Sequence, residues 1–255
     1  ETTAGFTGLR PFRAFATPPP RGSPAEIGGT KPMEALELME QRHSVRQYKP
    51  RAIEPEKRAA LNDLCSELNQ KAALSIQIVY DEPNCFDSFM AHYGKFSGVH
   101  NYIALIGKKS PKLEETLGRC GEQLVLKAQE LGLNTCWVAM TYSKVPSAFS
   151  AGEGEKLCAV IAVGYGKTQG SGHRVKSVRE VTEGEPPFPE WFVSGVEAAL
   201  LAPTAMNQPK FRFALQGNRV SATAGSGFYT KLDLGIVKYH FAMGAGADAF
   251  TWDRA

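Results

Sequence analysis

Three side chains in the stretch QRHSVRQYKP (residues 41–50) could act together. Arg42, Ser44 and Arg46 alternate, so an extended or turning backbone brings them to one side. Two guanidiniums with a serine hydroxyl and amide suit a phosphate monoester, because arginine pairs bidentately with its oxygens. The plainer reading is a solvated patch of charge, which contributes little. A second stretch, LLAPTAMNQPKF (200–211), carries amide chemistry. A helix from Trp191 to about Leu201 must end at Ala202, since Pro203 restricts the residue before it. Thr204 and Asn207 follow, and Pro209 blocks a return to helix. The Asn207 amide offers donor and acceptor together, suited to the mixed edge of a heterocycle or to ribityl hydroxyls. Here the plainer reading is a polar loop whose Asn and Thr cap turns.

Beyond these segments the chain carries no recognisable catalytic set of its own. It has no G-x-S-x-G, no H-E-x-x-H, no Walker A loop and no G-x-G-x-x-G after the first strand. Its five histidines (His43, His92, His100, His173 and His240) are scattered. An enzyme with this inventory draws its chemistry from a borrowed cofactor. A net charge of +3 over 255 residues argues against a general nucleic-acid binder, which carries a basic stripe. Five single cysteines without C-x-x-C spacing read as reduced thiols in a cytoplasmic compartment, with neither a disulfide framework nor a zinc site. No run approaches the roughly 18 apolar residues of a membrane span. Residues 1–32, rich in Pro, Gly and Thr and without period, are expected to be a leader or low-order arm, with Met33 looking like a natural start.

The elements that must position the two segments follow from periodicity. MEALELMEQR reads as a short helix delivering the chain to Arg42. IEPEKRAALNDLCSEL places Pro55 in a first helical turn and Leu61, Leu64, Cys65 and Leu68 on one face. LSIQIVYDEPN and HNYIALIGKK read as strands. KLEETLGRCGEQLVLKAQEL is the longest helix, with Leu117, Cys120, Leu124, Ala128 and Leu131 in a stripe and Gly132 as its stop. NTCWVAM and KLCAVIAVGYG are extended, and KFRFALQGNRVSATA is a hairpin around Gly217-Asn218.

After the glycine-rich stretch GKTQGSGHR the chain echoes itself. RVKSVREV (174–181) repeats QRHSVRQY (41–48), with Ser177 and Arg179 falling where Ser44 and Arg46 fell. TAMNQPKFRFALQ answers SELNQKAALSIQIV, and KLDLGIVKYHFAMGAG answers the long helix, with Trp252 placed roughly as Trp137. The pattern predicts an α+β sandwich with largely antiparallel sheets flanked by helices. It divides the chain into a first half (33–168) with the phosphate motif and a second half (169–255) with the Asn motif, two pseudo-symmetric halves of one unit.

In this order the segments resemble the nitroreductase family of flavin mononucleotide (FMN) enzymes. Arg42, Ser44, Arg46 and Tyr48 match that family's R-x-S-x-R-x-[YF] phosphate segment. Ala202, Pro203, Thr204, Asn207, Phe211 and Phe213 match the segment that a partner subunit supplies to the ribityl chain and ring. ELGLNTCWV (130–138) and VIAVGYG (160–166) are similar to the family's strand behind the flavin and its closing strand. The resemblance implies an FMN-dependent oxidoreductase that takes electrons from NADH or NADPH and passes them through flavin N5 to a nitroaromatic, quinone or similar acceptor. It implies cofactor contacts from Arg42, His43, Ser44 and Arg46; from Met140 and Thr141 on the N5 side; from Arg174 and Lys176 near the phosphate; and from Pro203, Thr204, Ala205 and Asn207. No catalytic side chain and no metal are expected, since the chemistry is flavin-borne. The partner expected is a small-molecule acceptor, with no nucleic acid or membrane. The chain departs from the family in holding the strong phosphate motif in one half and the strong Asn motif in the other. It therefore looks like a two-repeat relative, a monomer with an internal pseudo-dimer and one composite site. The alternative is a flavin-binding or flavin-processing protein without reductase turnover.

Overall fold

Helix α1 (Pro32–Gln41) hands the chain to residues 43–48, which run extended and are pinned by single bridges from Ser44 to Thr135, Gln47 to Ser97 and Tyr48 to Gly166. This is the computed structural model of the chain, and it describes residues 32–172 and 175–253. Pro55 opens α2 (Pro55–Ala72), where a missing amide costs nothing, and Leu61, Cys65 and Leu68 face inward. The strand expected from LSIQIVYDEPN is shorter than its composition suggests: β1 covers only Gln77–Val79. The ladder stops because Asp81 turns left-handed (φ 56°) and gives its amide to the Asn101 side chain at 3.1 Å. A 3-10 turn (Asn84–Phe86) and the short α3 (Phe89–Tyr93), not foreseen from sequence, then precede β2 (Tyr102–Lys108).

The long amphipathic helix α4 (Leu113–Glu130) buries Leu117, Cys120, Leu124 and Ala128 as its period requires. Gly132 ends it at φ 73°, a conformation open to glycine at little cost. Two strands follow, β3 (Asn134–Val138) and the apolar β4 (Glu155–Gly164). They complete an antiparallel sheet in the order β1-β2-β4-β3. Both faces of this sheet are buried. Ile103 and Leu105 of β2 join α2 and α4 in one core, while Tyr102, Ala104 and Ile106 join Val45, Tyr48, Phe86 and Phe96 in the other.

The second half is smaller. It comprises α5 (Val178–Val181), α6 (Glu190–Leu200), a 3-10 turn (Ala205–Asn207), the hairpin β5 (Phe211–Gln216) and β6 (Arg219–Ala224), α7 (Thr230–Ala245) and β7 (Thr251–Trp252). β5 and β6 are antiparallel as expected, but β7 pairs with β6 in parallel. An aromatic core of Phe192, Phe211, Phe213, Phe241 and Phe250 fills the space under α6 and α7. The echo at SVREV (177–181) does not extend to conformation. Ser177 accepts from the backbone while Glu180 bonds back to the Ser177 amide at 2.7 Å, and this capping box turns the segment into a helix where Ser44 lies extended.

α4 and α7 cross at glycines. A Cβ on Gly118 would lie 2.0 Å from the Leu232 carbonyl oxygen, and one on Gly235 would lie 1.9 Å from that of Glu115. The contact is reciprocal: each glycine, the sixth residue of its helix, meets the carbonyl of the third residue of the other. A second tie runs through buried side chains. Glu122 on α4 accepts from the Trp137 indole at 2.9 Å and faces His240 Nε2 on α7 at 3.0 Å. His240 Nδ1 lies 3.1 Å from the Ala198 carbonyl of α6.

Candidate functional site

The β3 strand organises the basic segment. Ser44 bridges to Thr135, and Val45 donates its amide to the Thr135 carbonyl at 3.0 Å, which lays Arg42, Ser44 and Arg46 along the start of β3. All three act on one buried thiol. Burial pushes the Cys136 thiol up, while Arg46, the Ser44 hydroxyl and Arg42 draw it back down. Their surroundings differ, however. Arg42 is only 4% exposed, and its Nε and Nη1 find no hydrogen-bond partner among the described residues. Arg46 reaches solvent, with its guanidinium 5.9 Å from the centre of the Phe96 ring.

A buried cation with idle donors carries a desolvation cost of several kcal/mol unless an anion answers it. The donor set fits an oxyanion: a fixed guanidinium fork, a second guanidinium at the surface and a hydroxyl between them. The glycine-rich stretch lies against this set, since a Cβ on Gly170 would come within 2.7 Å of the His43 Cβ and 3.0 Å of the Ser44 carbonyl oxygen. Arg174 lies outside the described residues. Lys176 donates to the Pro209 carbonyl at 3.0 Å and so belongs to the amide-bearing turn.

That turn is built as the sequence predicts, with a conformational addition. α6 ends at Leu200, Pro203 is buried, and Thr204 leads into the 3-10 turn. Met206 and Asn207 are both left-handed (φ 57° and 53°), and the Asn207 amide donates to the Thr204 carbonyl at 3.0 Å. Asn207 is exposed, and its side chain has no hydrogen-bond partner among the described residues. The Ala205 amide is held by both carboxylate oxygens of Asp233, at 3.2 and 3.0 Å.

α7 joins the turn to the far end of β3. Tyr229, the residue before the helix, donates its hydroxyl to the Ala139 carbonyl at 3.2 Å. Met140 and Thr141 follow directly, Met140 exposed and Thr141 packed against Gly94 at the end of α3. Four large apolar side chains on the elements tied to this point are exposed. Phe89 and Tyr93 of α3 are 83% and 75% exposed, and Phe228 and Met206 are each 87% exposed. The one cavity described, about 160 Å³, is lined by Tyr48, Lys49, Arg51, Asn101 and Gly164 among others, and by none of the predicted site residues. Tyr229, Asp233 and the α3 aromatics were missed from sequence. Tyr229 and Asp233, one helical turn apart at the head of α7, are the only local signal they leave.

A family described as "Putative TM nitroreductase" matches residues 34–245. The chain belongs to this family. Its fold is also that of a solved protein of Thermotoga maritima described as a "putative nitroreductase", at 22% identity over 88% of each chain and a TM-score of 0.58. A nitroreductase of Desulfovibrio desulfuricans solved in complex with FMN aligns at 18% identity over 61% of this chain and 98% of its own, with a TM-score of 0.47. An FMN-dependent nitroreductase of Clostridium difficile aligns at 18% over 54% of this chain and 90% of its own, with a TM-score of 0.42. No curated protein matches. Membership places the chain among oxidoreductases by family name, and among the described residues no helix is long and apolar enough to cross a membrane.

Proposed function

We propose that this nitroreductase-family chain binds FMN and passes electrons from NADH or NADPH to a nitroaromatic, quinone or similar acceptor. The observation that carries the reading is Arg42, buried beside Ser44 and Arg46 with two donor nitrogens that find no partner among the described residues. FMN, when bound, supplies a two-electron carrier that accepts hydride at N5. The chain's own work is to hold and shield it. Arg42, Ser44 and Arg46 would grip the phosphate with charge-assisted bonds. The Thr204–Asn207 turn would present donor and acceptor to the ribityl-ring end, with Met140 and Thr141 on the N5 side. The exposed side chains Phe89, Tyr93, Met206 and Phe228 would offer a flat, poorly hydrated acceptor apolar contact.

The site is composite. Its basic end comes from the first half and its amide turn from the second, so one chain does the work that family members divide between two subunits. The links through Tyr229 and Asp233 favour this arrangement, as does the reciprocal helix crossing. The reading predicts a yellow protein whose flavin bleaches with NADH or NADPH under nitrogen and recolours on adding a quinone. Sedimentation should find flavin on the monomer. Flavin that binds but is reduced by neither nucleotide would leave a binding protein without turnover, and protein that takes up no FMN would overturn the proposal.

A further inference from the structure

We infer that Asp233 is a positioning residue that fixes the Thr204–Asn207 turn for the cofactor, an inference that rests on the flavin reading above. Two successive left-handed residues, Met206 and Asn207, form a turn that is costly outside glycine. Within the turn two amide bonds close back on themselves, from Asn207 to Thr204 and from Gln208 to Ala205. The hold from outside the turn is at Ala205, whose amide Asp233 takes with both oxygens. The carboxylate is itself well placed to hold. It is 7% exposed, it sits in the first turn of α7, and its own amide donates to the Tyr229 carbonyl at 2.9 Å.

The same helical turn therefore grips both sides of the candidate site. Tyr229 fixes the end of β3 through Ala139, and Asp233, four residues on, fixes the amide-bearing turn. α7 cannot drift, because the crossing at Gly235 leaves no room against the Glu115 carbonyl. A burial this deep, for a carboxylate with no ion pair within 4 Å among the described residues, has a cost that folding alone gives no reason to bear. Holding a strained turn at a set distance from β3 is such a reason.

The test compares wild type with Asp233→Ala and Asp233→Asn, the latter keeping one acceptor oxygen. Amide hydrogen exchange on the flavin-free chain reads the turn directly. Exchange at residues 204–208 should rise at least tenfold in Asp233→Ala, with β2 and β4 unchanged, and should return toward wild type in Asp233→Asn. Unchanged exchange in Asp233→Ala overturns the inference whatever the chain binds. FMN titration reads its consequence: Kd should rise about tenfold in Asp233→Ala, the loss of one hydrogen bond to a charged acceptor, and recover in Asp233→Asn. If wild type binds FMN and Asp233→Ala binds it equally well, the positioning role fails while the flavin reading stands. If wild type binds no FMN the flavin reading fails, and the exchange result alone decides whether Asp233 holds the turn. Should Asp233→Ala not fold, Asp233→Leu, which keeps the bulk without an acceptor, takes its place: faster exchange at residues 204–208 supports the inference and wild-type exchange overturns it.

Discussion

The two halves of the chain carry the same words in different conformations. In the first, Ser44 lies extended beside β3 and Arg42 is buried with donors that find no partner among the described residues. In the second, Ser177 caps a helix and Arg179 stands exposed, 3.2 Å from Glu185. Between β1 and β2 the first half inserts a 3-10 turn and α3, whereas β5 and β6 are joined by Gly217-Asn218 alone. Yet the framework corresponds: Tyr102, Leu113, Gly118 and Asn134 in one half stand at the same spacing as Arg219, Thr230, Gly235 and Thr251 in the other. The sheets differ all the same, since β4 lies between β2 and β3 whereas β6 pairs directly with β7; what the two halves share is the helix crossing, which packing sets, while binding depends on a few polar groups.

The largest effect should come from the buried tie between the halves. His240→Ala strips the partner from fully buried Glu122 and should cost about 3–5 kcal/mol in urea denaturation, with the Trp137 environment altered in its fluorescence. Unfolding in two separated steps would show the halves to be independent. Next, Gly118→Ala and Gly235→Ala should each destabilise by about 1–3 kcal/mol, since either methyl forces the helices apart. Similar losses at the two positions would sharpen the correspondence, and a loss at one alone would break it.

Asp233 sets a pH dependence. Burial pushes its carboxyl up to about 7, opposed by the Ala205 amide and by Lys210. Across the helix crossing, Glu115 is paired with Lys238. The folded state therefore holds a proton that the unfolded chain releases near the ordinary carboxylate value of 3.8. Stability from this group is full below that value and is lost as pH rises through about 7. Denaturation midpoints measured from pH 5 to 8 should show this fall in wild type and a flatter profile in Asp233→Asn. The smallest effect on stability belongs to Phe89→Ser and Tyr93→Ser, within about 0.5 kcal/mol because both side chains are exposed. Both should raise KM for an aromatic acceptor, measured by steady-state kinetics, while leaving the oxidation of NADH or NADPH unchanged.

Much of the framework was legible because it repeats locally. The stripe on α4, the Gly132 stop, the Gly217 hairpin and the break at Pro203 each depend on residues within a few positions of one another. The helix at Ser177 was legible too, since S-x-x-E is a capping box, but the likeness to QRHSVRQY concealed it. What the residue pattern could not convey is contact at long range. Tyr229 meets Ala139 across 90 positions and Asp233 meets Ala205 across 28, and an isolated tyrosine or aspartate carries no mark of such a partner. The segment containing Arg42 was legible as a candidate. Its burial was not, because alternation places side chains on one side without saying how deep they lie.

The most direct test of the difference between the halves is an FMN titration of wild type, Arg42→Ala and Arg179→Ala, followed by flavin fluorescence. The account predicts binding by wild type, a Kd raised about tenfold to a hundredfold in Arg42→Ala by loss of charge-assisted bonds, and no change in Arg179→Ala. Equal affinity in Arg42→Ala and wild type, or an equal loss in Arg179→Ala, would contradict it.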